Sequence, residues 1–125
     1  MITPDQLESF RFTLETALCK HKDQSNPQGR GIPFVKLEMG KKYCRVVRGE
    51  IHGSQECHVS VYCFVDLANG DILKPAGYKA PTKNGARGNI LGENPLRGCG
   101  AYGVEYKRGG GGFTFEESDK IESII

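Results

Sequence analysis

The sequence predicts an α+β fold: a small antiparallel sheet of about four to five strands, an N-terminal helix packed on one face, and a long glycine-rich basic loop. Three observations carry that expectation. Apolar residues recur at helical spacing near the N-terminus, then alternate from about residue 35 to residue 74, and an Asn-Gly pair joins two of the alternating runs. At 125 residues the chain has room for one domain around one core. With 38% hydrophobic and 26% charged residues, the chain falls among globular proteins rather than disordered or membrane-embedded ones.

The helix is placed at 4–21. Thr3-Pro4-Asp5-Gln6 opens it, with Thr3 as cap, Pro4 at the first helical position and Gln6 completing a capping box. Leu7, Phe10, Leu14, Ala17 and Leu18 then form one apolar stripe. Residues 23–33, with Asn26-Pro27, Gly29, Gly31 and Pro33, read as a loop. The antiparallel sheet is assigned to 34–75. Val35, Leu37 and Met39 alternate with Lys36 and Glu38, Gly40-Lys41 turns the chain, and 42–49 returns. After a turn at His52-Gly53-Ser54, Cys57, Val59, Val61, Cys63 and Val65 line the face expected to meet the helix, leaving His58, Ser60, Tyr62, Phe64 and Asp66 opposite. Asn69-Gly70 signals a hairpin into a strand ended by Pro75. Edges near 42–49 or 71–74 are where copies of the chain would pair.

Residues 76–112 are expected to be a glycine-rich basic segment with a short strand near 101–107. Residues 113–125 are expected to form an acidic helix that starts at a second capping box, Thr114 to Glu117. Between Gly77 and Gly112 six cations face two carboxylates, so the positive field belongs to this stretch.

The five cysteines are odd in number and contain no C-x-x-C pair, which suits reduced, buried thiols in the cytoplasm rather than a disulfide or metal framework. Met1 is followed by Thr3, Pro4 and Asp5 rather than a basic-then-apolar run, so no secretory signal is expected. No apolar run approaches the ~20 residues needed to span a membrane.

Catalysis finds little support. No spacing pairs two of His21, His52 and His58 with a carboxylate as a metal site would. Cys57 and His58, adjacent in a strand, point to opposite faces and cannot act as a nucleophile pair. Walker loops, nucleophile elbows and dinucleotide fingerprints are absent. The chain is read as a non-enzyme with no cofactor and no metal.

Binding is better supported. Within Lys74–Ile90, cations interleave with one aromatic, two amides and three glycines. Lys79, Lys83 and Arg87 suit phosphates, Tyr78 offers a stacking face, and Asn89 can pair with a base edge or hold a ribose. Each has a structural alternative: Tyr78 covering the sheet edge, Arg87 paired with Asp66 or Asp71, Asn89 capping a turn. Arg45 and Arg48 lie three apart in a strand, so at most one of them joins the basic surface from there.

The string Cys63-Phe64-Val65-Asp66, Gly70-Asp71-Ile72, Lys74-Pro75-Ala76, Lys79-Ala80-Pro81 and Ala86-Arg87-Gly88-Asn89-Ile90 resembles a widespread family of small bacteriophage proteins. Tyr102-Gly103-Val104-Glu105-Tyr106 is similar to that family's C-terminal element, and the match covers about residues 40–108. The pattern looks like the Thoeris anti-defence sponges, homo-oligomers that sequester cyclic nucleotide immune signals in the host cytoplasm. That resemblance implies a stacking role for Tyr78, a polar contact from Asn89, and phosphate contacts from Arg87, Arg48 and Arg108. Two alternatives stand beside it: a single-stranded nucleic-acid binder, and an inhibitor of a host defence complex that uses the acidic stretch Glu116–Glu122.

Overall fold

The computed structural model describes residues 1–25, 31–92, 96, 99–100 and 103–104. Its elements are α1 (Pro4–Ser25), β1 (Ile32–Met39), β2 (Tyr43–His52), β3 (Gln55–Asp66), β4 (Asp71–Pro75), β5 (Pro81–Asn89), β6 (Cys99–Gly100) and β7 (Gly103–Val104). The first five strands form an antiparallel meander in the order β1-β2-β3-β4-β5, with α1 packed on one face. The two short strands pair with each other, and β7 lies alongside β3. The architecture is the expected α+β fold. The acidic helix expected over 113–125 lies outside the described residues.

The helix begins as its capping chemistry dictates. Thr3 Oγ1 accepts from the Gln6 backbone N–H at 3.2 Å, and Gln6 Oε1 accepts from the Thr3 N–H at 2.9 Å. The helix runs to Ser25 rather than residue 21 because Lys22, Asp23 and Gln24 tolerate a helix, and the stop comes from Pro27 two residues on. Leu7, Phe10, Leu14 and Leu18 are buried together against Val35, Val46, Cys63, Val65 and Ile72. Each such side chain contributes about 1.5–3 kcal/mol on removal from water.

α1 also covers the outer edge of the sheet. Glu15 Oε2 accepts from the Val35 N–H at 2.8 Å, while Arg11 Nη1 donates to the Val35 carbonyl at 3.2 Å and to Glu15 at 2.9 Å. Cys19 Sγ donates to the Pro33 carbonyl at 3.6 Å. Residues 11, 15 and 19 form one i, i+4 row on the helix, so a single row of side chains satisfies the middle of an edge strand. The Arg11 guanidinium also bonds Glu8 and holds its carboxyl below the usual range. The sheet edges are β1 and β5. The edges expected at 42–49 and 71–74 are interior, because β1 flanks the first and the fifth strand flanks the second.

That fifth strand is the main departure from expectation. Pro81–Asn89 falls in the stretch read as a loop, and its glycines and proline gave no strand pattern. β4 supplies the template instead, pairing Asp71 with Asn89, Ile72 with Gly88, Leu73 with Ala86 and Pro75 with Pro81. Two register irregularities absorb the poor fit, and Gly85 takes a φ of 95° that a side-chain-bearing residue rarely adopts.

β3 corrects a second expectation. Cys63 and Val65 face the helix, but Tyr62, placed on the opposite face by simple alternation, is also in that core. Val59, expected to face the helix, is 49% exposed, and Cys57 is half-buried. Irregularities opposite Val46/Val47 and Arg48/Glu50 insert extra β3 residues, and each insertion shifts the period-2 pattern by one. At the second insertion His58 has a φ of 56°. At the β3–β4 hairpin, only Gly70 uses a positive φ, of 84°, while Asn69 Oδ1 accepts from the Asp71 N–H at 2.9 Å in an Asx turn.

Candidate ligand-binding groove

Pairing register aligns Glu38, Arg45 and Phe64 in a row across β1, β2 and β3, on the face away from α1. The row ends under the β4–β5 loop, which Ala76 and Gly77 close by donating to the Ala80 carbonyl at 3.0 and 3.4 Å. Arg45 ties these parts together. Its Nε donates to the Tyr78 carbonyl at 2.7 Å, its Nη1 pairs with Glu38 at 3.0 Å, and its guanidinium carbon lies 4.4 Å from the Tyr78 ring centre and 5.9 Å from that of Phe64. The Tyr78 hydroxyl donates to Glu38 at 3.4 Å. The guanidinium is held in place by the two rings, the Tyr78 carbonyl and Glu38, with Nε and Nη1 both donating.

Beside this stack lies an open groove of about 300 Å³. The tight β1–β2 turn, closed by the Gly40 N–H to the Tyr43 carbonyl at 3.0 Å, carries Lys41 and Lys42 to its rim. Lys79 and Arg45 complete four cations against one carboxylate, Glu38. Tyr43 and Phe64 line the groove in an edge-to-face contact with centroids 6.2 Å apart, and Lys42 sits 5.3 Å from the Tyr43 ring centre. Tyr78 is 55% exposed, so ring surface remains for a planar group. The chemistry is that of an anion site with aromatic walls.

The structure brings only part of the expected site together. Lys79 lines the groove, and its neighbour Tyr78 packs on Arg45 beside it. Asn89 does not join them, because it pairs with Asp71 at one end of β4 while the Tyr78 loop leaves from Pro75 at the other, about 13 Å along the strand. The Asn89 amide is already engaged: Nδ2 donates to the Asn69 carbonyl at 2.9 Å and to Asp71 at 3.0 Å, and Oδ1 accepts from the Leu91 N–H at 2.8 Å. These bonds place Asn89 in the turn-capping role that stood as its structural alternative, closing the end of the sheet. Arg87 is half-buried at a β5 irregularity, with Nη1 donating to the Gly85 carbonyl at 2.6 Å. Arg48 points to the helix side, as its three-residue offset from Arg45 requires, so Arg45 is the arginine that β2 supplies. The Lys83 side chain, Arg108 and Glu116–Glu122 lie outside the described residues. Sequence reasoning missed Lys41, Lys42 and Phe64 as groove residues and left open which of Arg45 and Arg48 joins the basic surface. The basic turn Gly40-Lys41-Lys42-Tyr43 was the available signal.

A family model described as "Family of unknown function (DUF7717)" matches residues 5–102. The chain belongs to this family. The DUF7717 match spans the helix, the five-stranded sheet and the groove, and stops before Lys107 and Arg108. Searches of curated proteins and of solved structures find no match.

Histidines also meet in a way their spacing did not reveal. The β2–β3 hairpin brings His52 and His58 together with Glu50, where His52 Nε2 and Glu50 Oε2 lie 3.0 Å apart. That hydrogen bond holds the Glu50 carboxyl below its usual range.

Proposed function

We propose that the protein binds a small anionic nucleotide in the groove beside Tyr78 and retains it without turnover. The supporting observation is the convergence of Lys41, Lys42, Lys79 and Arg45 on an aromatic-walled groove of about 300 Å³, with Tyr78 open to stack on a base. Lysines at the rim take phosphate as mobile point charges, and Arg45, held by its rings and by Glu38, adds a fixed positive charge. The resemblance to anti-defence sponges supplies the finer form: a phage-encoded homo-oligomer that sequesters a cyclic nucleotide signal in the host cytoplasm.

The test is a thermal-shift panel of cyclic mononucleotides, cyclic dinucleotides and oligonucleotides. A ligand that binds only the folded state at 100 times its Kd stabilises by about 2.7 kcal/mol. The expected result is a shift with a cyclic nucleotide, lost in Tyr78→Ala and Lys79→Glu, with intact ligand recovered after heat denaturation. A shift with oligonucleotides alone, abolished by salt, replaces this reading with single-stranded nucleic-acid binding. No shift with any nucleotide overturns it.

A further inference from the structure

We propose that Glu50, His52 and His58 form a binding site for a divalent transition-metal ion of the Zn²⁺ or Co²⁺ class. The site shares no residue with the groove and stands or falls independently of it. Glu50 and His52 are two apart in β2 and project from one face, and the turn at Gly53-Ser54 returns the chain so that Glu50 pairs with Cys57 and His52 with Gln55. His58 would be out of phase with them in a regular ladder. The extra β3 residue at this point and the left-handed φ of 56° turn it back, so that its ring meets that of His52 with centroids 6.1 Å apart at 70°. A side-chain-bearing residue rarely adopts that φ, and His58 is exposed, so burial in the core does not account for it. Such an outlier points to function.

The three ligand atoms lie within 4.8 Å of one another. Metal–nitrogen and metal–oxygen bonds of roughly 2.0–2.1 Å in a tetrahedral site place donors about 3.3 Å apart. The Glu50–His52 pair, at 3.0 Å, is close to that spacing, and the His58 nitrogen, within 4.8 Å of both, needs to close by about 1.5 Å at most. Two imidazoles with one carboxylate select borderline ions over Mg²⁺ or Ca²⁺, and the remaining position is left to water or an added ligand.

A second observation supports a built site. Gly31 is buried beneath it, and a Cβ there would come within 2.6 Å of both Glu50 Oε2 and His52 Nε2. Those are the far ends of side chains, so they could yield without disturbing the fold, but they would leave the positions the metal needs. Glycine at residue 31 thus makes room for the donor pair.

Cobalt(II) titration of the untagged full chain, followed by visible d–d absorption and by Zn²⁺ competition, tests the proposal. One equivalent should bind, without the near-ultraviolet thiolate bands that ligation by a cysteine such as Cys57 would give. His58→Asn keeps a residue that tolerates left-handed φ and removes the imidazole, while His52→Gln keeps a hydrogen bond to Glu50. Both should weaken binding by at least about tenfold. Gly31→Ala should retain the wild-type melting temperature and lose affinity by about 10–100-fold. Absence of cobalt and zinc binding, thiolate bands, or unchanged affinity in Gly31→Ala or in folded His52→Gln and His58→Asn would overturn the assignment.

Discussion

Replacing Asn89 with alanine separates a structural role from a ligand role. The substitution removes two donated hydrogen bonds, to Asn69 O and Asp71 Oδ1, and one accepted from Leu91 N. At about 0.5–1.5 kcal/mol net each, and with water able to reach the abandoned groups, the loss is about 2–3 kcal/mol. For a domain of this length that corresponds to a melting-temperature drop of about 6–15 °C. Asn89→Asp goes further. It sets an oxygen where Nδ2 stood, 3.0 Å from the Asp71 carboxylate, and two charges at that distance repel by about 1.4 kcal/mol in water and about 5 kcal/mol at an effective dielectric near 20. At neutral pH this variant should melt below Asn89→Ala. Its deficit should shrink on acidification, because the crowded folded pair holds a proton more tightly than the unfolded chain does, and stability rises as pH falls through the carboxylate range. Calorimetric melting from pH 3.5 to 7.5, with nucleotide titration of each variant, reads both effects. An Asn89→Ala protein that melts like the wild type but no longer binds nucleotide would refute the reasoning and return Asn89 to the ligand site.

Glu15→Ala should deprive the Val35 amide of its side-chain acceptor at 2.8 Å, costing about 1.5–3 kcal/mol, and raise hydrogen exchange at Val35 well above that of its interior neighbours. Glu15→Gln, which keeps an acceptor, should recover part of that protection, and unchanged exchange in Glu15→Ala would show that the helix does not cap the edge. Burial pushes the Cys44 thiol up to about 11 and the Cys63 thiol well above its ordinary range, so alkylation at pH 8 should modify half-buried Cys57 long before either. Unfolding frees these thiols to ionise, so stability should fall as pH rises from about 8.5 towards 11. Rapid alkylation of Cys44 in the native protein would contradict its burial.

The capping box and the apolar helix stripe were legible because both rest on short-range spacing that tertiary structure only completes. The hairpin at Asn69-Gly70 was legible for the same reason. β5 was not, since Pro81, Gly85 and Gly88 suppress any strand pattern and β4 alone imposes one. The faces of β3 were half legible: alternation holds from Cys63 to Val65 and fails before it, because a one-residue bulge leaves no mark in composition. The candidate groove was visible only at Tyr78 and Lys79. Its other half comes from Lys41, Lys42, Arg45 and Phe64, which are neighbours through register rather than through sequence. An amide beside cations is chemically apt for a ligand, and nothing in the chain revealed that Asn69, Asp71 and Leu91 would bond Asn89.

The row Arg11, Glu15 and Cys19 has a bearing on assembly. Side-chain capping at Pro33 and Val35 interrupts the β1 ladder at its centre, so no added strand can run along it. Among the described strands, β5 is the other edge of the sheet. Copies that paired through one edge alone would close into a two-fold pair rather than grow into a fibre.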